Sequence, residues 1–158
     1  MRKLVIGETM PSQQSADVTD WLDLEQLARV EMTSEDAAYP IEAALTAEDD
    51  TGWRASMPGT QTIRLLFDSP QKITRIQLLF EETLQQRTQE FVLRWLPAGT
   101  EDDREIVRQQ YNFYPAGNTQ ELEDYSVSLQ AAIMIELCIT PDISGGDARA
   151  SLAQLRIA

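Results

Sequence analysis

The chain has 158 residues, with 26 acidic and 13 basic side chains, no histidine and a formal net charge of −13. Its length and its hydrophobic content of 42% are typical of one domain with an ordinary core. The negative charge disfavours nucleic acid and membranes as partners, because both select for basic patches. The lack of histidine removes the commonest metal ligand and the commonest general base.

The cysteine content and the N-terminal residues bear on the cellular compartment. Cys138 is the single cysteine, so an internal disulfide is excluded and no oxidising compartment is required. Two cations are followed by only three strongly apolar residues, at 4–6, which is shorter than the apolar core of a secretory signal. The sequence also has no window that resembles a membrane span. We therefore expect a cytoplasmic protein.

Residues 1–27 are predicted to form an N-terminal arm with one short helix. The arm begins with a polar stretch that has no period. The apolar residues from Trp21 to Leu27 then fall at helical spacing after a capping residue, Thr19 or Asp20. This pattern predicts a helix of at most two or three turns, with Trp21 on it as the anchor to the rest of the domain.

Over residues 28–158 the apolar period changes to two, which indicates β-strands with one face on a core. Segments rich in Pro, Gly, Asp and Asn separate about eight such runs. The sequence therefore predicts a single all-β domain, a jelly-roll β-sandwich. Its predicted core residues are Ile63, Leu65, Phe67, Ile76, Leu78, Phe91, Leu93, Ile135, Leu137 and Ile139.

Several segments carry a resemblance to a known family. Thr51-Gly52-Trp53 follows an acidic loop, and Ile73-Thr74-Arg75-Ile76 follows a strand and a proline turn. Residues 150–157 form a final apolar run. Over about residues 28–158 the sequence resembles the discoidin, or coagulation factor 5/8 C-type, branch of the galactose-binding-like jelly rolls. The resemblance implies a sandwich whose ligand loops lie at one end, with Trp53 packed beneath them.

The resemblance also implies a candidate metal site, since members of this family often bind a structural calcium ion. Thr46 and Gln154 stand where the family's Asp and Glu ligands are expected. Oxygen ligands, which calcium prefers, remain at Glu48, Asp49, Asp50 and Thr51. We expect no cofactor and interpret these residues as a solvated acidic turn, with calcium binding as the alternative.

The candidate ligand site lies at the loop end of the jelly roll, because loops from several strands converge there. Aromatic rings can stack on sugars, and arginine can donate hydrogen bonds to hydroxyls or to a carboxylate. Residues 110–115 form the densest aromatic cluster, although a buried strand end terminated by Pro115 is an alternative interpretation. The candidate ligand-binding residues are Tyr39, Arg54, Arg87, Tyr111, Tyr114 and Arg149.

The sequence contains no recognisable catalytic pattern. Without histidine there is no Ser-His-Asp or Cys-His set, and no glycine-rich phosphate loop is present. We therefore expect a protein that is not an enzyme and that has no transition-metal site. Two hypotheses for its function remain. The first is a module that binds carbohydrate, and the second is an interaction subunit that docks a protein partner through a sheet face or edge.

Overall fold

The computed structural model describes residues 20–46 and 51–158. Single helical turns lie at Leu24–Leu27 (α1) and Glu42–Leu45 (α2). The strands are Ala28–Met32 (β1), Trp53–Arg54 (β2), Gln61–Glu81 (β3), Arg87–Pro97 (β4), Arg104–Phe113 (β5), Gln120–Thr140 (β6), Ser151–Leu152 (β7) and Gln154–Ile157 (β8). None of the helices in the described ranges is long and apolar enough to cross a bilayer. The predicted all-β class is confirmed.

The two longest strands, β3 and β6, belong to one bent six-stranded sheet, and each runs through both layers of the fold. Residues 61–66 of β3 pair with residues 134–139 of β6, and after register shifts residues 71–81 pair with residues 120–132. Ala131 lies at this corner with a φ of 55°, in the left-handed region that residues with a side chain rarely adopt. A bent ribbon of two strands therefore connects the two layers of the fold.

The register defines the two layers. The first contains β1, the first half of β3, the second half of β6, β4 and β5, in that order. The second contains the first half of β6, the second half of β3, and β8. The rings of Phe80 in the second layer and Phe91 in the first have centroids 5.3 Å apart. The layers thus face each other across the core, and the fold is a β-sandwich.

The core lies between these layers and consists of the residues that the alternation predicts. All ten predicted core residues are buried, and the most exposed of them, Phe67, has only 8% of its surface accessible. Trp53 is also buried, whereas Trp95 packs against the core with part of its surface exposed. Because burial of a large apolar side chain stabilises a fold by about 1.5–3 kcal/mol, this set is the main source of stability.

The N-terminal helix differs from its prediction. It is a single turn that begins after Asp23, so Trp21 precedes the helix instead of lying on it. The indole of Trp21 lies 5.0 Å from the guanidinium of Arg75 and 5.9 Å from that of Arg156. Residues 1–19 of the predicted arm lie outside the described residues.

The aromatic cluster follows the alternative interpretation of a strand end, because its residues 110–113 belong to a strand and not to a loop tip. They form the end of β5, which pairs with β4 along its length. β5 is an edge strand whose side chains are mostly exposed, so it lacks the apolar alternation that identifies the other strands.

Several loops meet at one end of the sandwich, which we call the loop end. Glu82 donates a backbone hydrogen bond to the Thr119 carbonyl at 2.8 Å, and the Arg87 side chain donates to the Pro141 carbonyl at 2.7 Å. These contacts connect loops that leave different strands. The described segments at this end are residues 33–46, 51–60, 82–86, 114–119 and 141–150.

Candidate functional site

Arg54 reaches the loop end on the short strand β2. This strand pairs antiparallel with β7, so Arg54 lies opposite Ser151. Gly52, which precedes β2, has a φ of 74°, and a Cβ added there would lie 2.6 Å from the Leu152 carbonyl oxygen. Glycine is therefore required for this close pairing. Because Trp53 points into the core, its neighbour Arg54 points outward.

Tyr39 supports the Arg54 side chain. The guanidinium carbon lies 4.9 Å from the centroid of the Tyr39 ring, and the Arg54 backbone N–H donates to the Tyr39 carbonyl at 3.1 Å. A cation over an aromatic face is attracted by the electron density of the ring. The contact orients the guanidinium and covers this ring face, so Tyr39 is a positioning residue for Arg54.

Arg149 lines the same cleft as Arg54. A bridge to Gly59 holds its backbone, and the nearest Asp36 carboxylate oxygen lies 3.9 Å from its guanidinium. That distance is too long for a hydrogen bond. With respect to residues 20–46 and 51–158, the guanidinium N–H groups of Arg54 and Arg149 have no hydrogen-bond acceptor. Both side chains therefore keep donors for a ligand.

The cleft is open to solvent and has a volume of ≈ 420 Å³. Arg54, Ser151, Asp147 and Arg149 form one part of its lining. The other part is formed by residues 81–85, at the end of β3 and in the loop that follows. The lining thus combines guanidinium donors with carboxylate and hydroxyl groups, an arrangement that can hydrogen-bond a small polar ligand from several directions.

A buried ion pair fixes the loop of residues 82–86. Arg87 Nε donates to Glu82 Oε1 at 2.7 Å, and Glu82 Oε2 accepts the Leu84 backbone N–H at 2.9 Å. Burial by itself would raise the pKa of Glu82, but the hydrogen bonds from Arg87 and Leu84 outweigh it and hold this pKa below its ordinary value. Glu82 is therefore ionised at neutral pH and holds the loop in place.

Arg87, a candidate at the loop end, begins β4 there and is only 4% exposed. Its guanidinium donates to the Gln89 side-chain oxygen at 3.1 Å and to the Pro141 carbonyl at 2.7 Å. It also lies 4.9 Å from the centroid of the Phe113 ring. Arg87 thus lies at the loop end as expected, but on the inward face of β4, where protein groups occupy its donors, and its role in ligand binding stays a prediction. It acts as a positioning residue for loop 82–86.

Tyr111 and Tyr114 lie outside the cleft lining. Tyr111 is half-buried in β5, where its ring packs edge-on against Phe113 at 5.0 Å and its hydroxyl donates to the Gln120 carbonyl at 2.8 Å. Tyr114 is 41% exposed, in the turn that follows β5. The structure thus brings Tyr39, Arg54 and Arg149 together and separates the other three candidates. A role of the two tyrosines in ligand binding stays a prediction.

The alternative calcium loop falls mostly outside the described residues. Glu48, Asp49 and Asp50 lie there, and Thr51 is exposed directly after them. In the part of the chain that the structure describes, no group of three acidic, cysteine or histidine side chains is arranged to hold a metal ion. Calcium binding stays a prediction.

The sequence patterns did not predict a polar patch between the two layers. Glu121 is 2% exposed, and its carboxyl oxygens have no hydrogen-bond partner among the described residues, nor has Nε2 of the buried Gln89. Burial, with a further contribution from the nearby Glu123 carboxyl, raises the pKa of Glu121 to about 9. Glu121 is therefore a neutral acid at pH 7. The sequence could have indicated that Glu121 is buried, because Glu121 takes an inward position on β6, where it pairs with Phe80 of β3.

Comparison with known proteins establishes the fold. No protein-family model and no curated protein sequence matches the chain. The CBM32 of AlyQ, solved in complex with 4,5-unsaturated mannuronic acid, is similar with a TM-score of 0.63 and 18% identity, over 89% of this chain and 98% of that chain. The chain has the discoidin-like galactose-binding jelly-roll fold. The predicted resemblance in fold is confirmed.

Two structures from Clostridium perfringens agree. The family 32 CBM of NanJ, in complex with galactose, has a TM-score of 0.62 and 15% identity, over 87% of this chain and 96% of that chain. The module CpGH89CBM32-5, in complex with GalNAc-beta-1,3-galactose, has a TM-score of 0.63 and 16% identity, over 87% of this chain and 99% of that chain. At such identities the likeness concerns the fold alone.

Proposed function

We propose that this protein is a non-enzymatic carbohydrate-binding module whose ligand occupies the cleft at the loop end. The observation that carries this proposal is the pair of exposed guanidinium groups, Arg54 and Arg149, whose donors have no acceptor among the described residues. Their cleft, at ≈ 420 Å³, has the size of a small-molecule site, which is typically about 300–1,000 Å³.

The chemistry of the lining suits a sugar. A guanidinium group presents N–H donors in a planar fork, which can engage two neighbouring oxygens of one ligand. The Asp147 carboxylate can accept hydrogen bonds from hydroxyl groups, and the Ser151 hydroxyl can both donate and accept. Because Tyr39 already orients Arg54, that side chain loses little conformational freedom on binding, which favours affinity.

The comparison structures support the choice of ligand class. The AlyQ and NanJ modules were solved with an unsaturated mannuronic acid and with galactose, and the third module was solved with a disaccharide. Their fold is the one found here. Binding rather than catalysis is proposed because these neighbours are binding modules and because the sequence lacks histidine.

A glycan array with three proteins tests the proposal. The first is the wild type, the second is the double variant Arg54→Ala/Arg149→Ala, and the third is the control Arg64→Ala/Arg108→Ala. The control side chains are similarly exposed, at 47% and 49%, but lie outside the cleft in ion pairs with Glu136 and Glu90. Both variants lose the same charge, so a difference between them reports on the cleft.

The expected result is binding by the wild type and by the control, with at least a tenfold loss in the cleft variant. Hydrogen bonds to charged groups contribute about 1.5–3 kcal/mol each, which exceeds the 1.4 kcal/mol that corresponds to tenfold. The proposal is contradicted if the wild type binds no glycan, or if the cleft variant binds as well as the wild type.

A further inference from the structure

Leu84 is an apolar side chain in an otherwise polar cleft. It is 82% exposed, more than any other large hydrophobic side chain in the described ranges. The other lining residues are charged or polar. A single exposed leucine is ordinary on a protein surface, but this one lines the same cleft as Arg54 and Arg149, whose donors have no acceptor among the described residues. Because so little of Leu84 is buried, its side chain contributes almost nothing to the core.

The loop holds Leu84 in a defined position. Its backbone N–H donates to Glu82 Oε2 at 2.9 Å, and the other oxygen of that carboxylate accepts a hydrogen bond from the buried Arg87 at 2.7 Å. These hydrogen bonds fix the backbone that carries the side chain, so a ligand contact with Leu84 loses less conformational entropy than a contact with a residue on a mobile loop.

The apolar contact that this cleft offers is aliphatic rather than aromatic. Within residues 20–46 and 51–158, no aromatic ring lines the cleft, and the nearby ring of Tyr39 has a face covered by the Arg54 guanidinium at 4.9 Å. A branched side chain lacks the flat π-face on which a sugar ring stacks. Its two terminal methyl groups are instead suited to pack around another small apolar group.

We infer that Leu84 selects sugars that carry a methyl group, either in an N-acetyl substituent or at a 6-deoxy carbon. This selectivity rests on the proposed carbohydrate function and names a subclass of its ligands. Removal of a methyl group and of the matching leucine surface from water corresponds to about a four- to tenfold gain in affinity. Arg54 and Arg149 would hold the polar edge of the same sugar.

Calorimetric titration with three matched pairs of sugars tests the inference. The pairs are N-acetylgalactosamine and galactose, N-acetylglucosamine and glucose, and L-fucose and L-galactose. The first two pairs test the N-acetyl group, and the third tests the 6-deoxy carbon. Wild type is compared with Leu84→Ala and with the control Leu122→Ala, whose leucine is 61% exposed on β6 and lies outside the cleft lining.

We expect the wild type and Leu122→Ala to prefer the methyl-bearing member of at least one pair by about four- to tenfold. In Leu84→Ala the ratio of the affinities for the two members of that pair should fall to about one, and the melting temperature should not change. A ratio that persists in Leu84→Ala, or a wild type that binds both members of every pair equally, contradicts the inference.

The two proposals fail differently. If Arg54→Ala/Arg149→Ala abolishes sugar binding while Leu84→Ala keeps the ratio, the carbohydrate function stands and the role of Leu84 is wrong. If the wild type binds none of the six sugars and no glycan on the array, both proposals are wrong.

Discussion

Two arginine environments meet at the loop end of this sandwich, and they have opposite consequences. Arg87 is buried, and its guanidinium donates to Glu82, Gln89 and Pro141. Arg54 and Arg149 are exposed in the cleft and make no side-chain hydrogen bond to the described residues. Residue type and loop proximity alone predict the same role for all three. For Arg87 and Arg54, the face of the strand that carries the arginine decides whether it supports the fold or is available to a ligand.

The largest expected difference between the two environments is in stability. Arg87→Met should lower the free energy of unfolding by about 3–5 kcal/mol, because it leaves the Glu82 carboxylate without its buried partner. Arg54→Met should change this free energy by no more than about 0.5 kcal/mol, as is usual for an exposed position. Urea denaturation of both variants measures the difference. An equal loss of unfolding free energy in both variants would show that the contrast between the two environments is wrong.

The buried Glu121 between the two layers should make stability depend on pH. Glu121 has a pKa of about 9 in the folded protein, against 4.5 for an ordinary glutamate, since burial and then Glu123 favour its neutral form and Arg87 only partly opposes them. Its stabilising contribution is full below pH 4.5 and is lost as the pH rises toward 9. The slope is at most about 1.4 kcal/mol per pH unit for one proton.

The variant Glu121→Gln isolates this effect, because its amide imitates the neutral acid and does not titrate. The melting temperature, measured between pH 5 and pH 9, should fall with rising pH in the wild type and change less in Glu121→Gln. The acids with lowered pKa values, such as Glu82 and Asp124, are already ionised in this range and add no comparable slope. Parallel curves would show that Glu121 is ionised throughout.

The smallest effect is expected at Tyr114. Its ring is 41% exposed, in contrast to the fully buried Phe113 that precedes it. Tyr114→Ala should therefore lower the free energy of unfolding by no more than about 1 kcal/mol. A loss of several kcal/mol in a melting experiment would mean that Tyr114 is a core residue, and it would remove this ring from the candidate ligand residues.

The sequence predicted the sandwich well where burial follows a simple period. Alternation identified the buried residues of β3, β4 and β6, including Ile63, Phe91 and Ile135. It failed for β5, since an edge strand with mostly exposed side chains carries little apolar signal. The same alternation also assigns Arg87 to the inward face of β4, so its burial could have been predicted from Phe91 and Leu93.

The cleft was less predictable because it depends on contacts between distant segments. Arg54 and Arg149 meet through the pairing of β2 with β7 and the bridge from Arg149 to Gly59. No local pattern encodes such pairings. Leu84 had a weak signal, an isolated apolar residue in a polar loop, but only the structure places it in the cleft lining.

The most direct test of the central claim is to observe the arginine side chains while a sugar binds. In NMR spectra of ¹⁵N-labelled protein, titration with the strongest glycan from the array should shift the Nε–Hε signals of Arg54 and Arg149. The signal of Arg87 should shift less than these two, because its guanidinium is buried and its Nε already donates to Glu82. Shifts confined to sheet arginines such as Arg64 and Arg108, with Arg54 and Arg149 unaffected, would contradict a ligand site in the cleft.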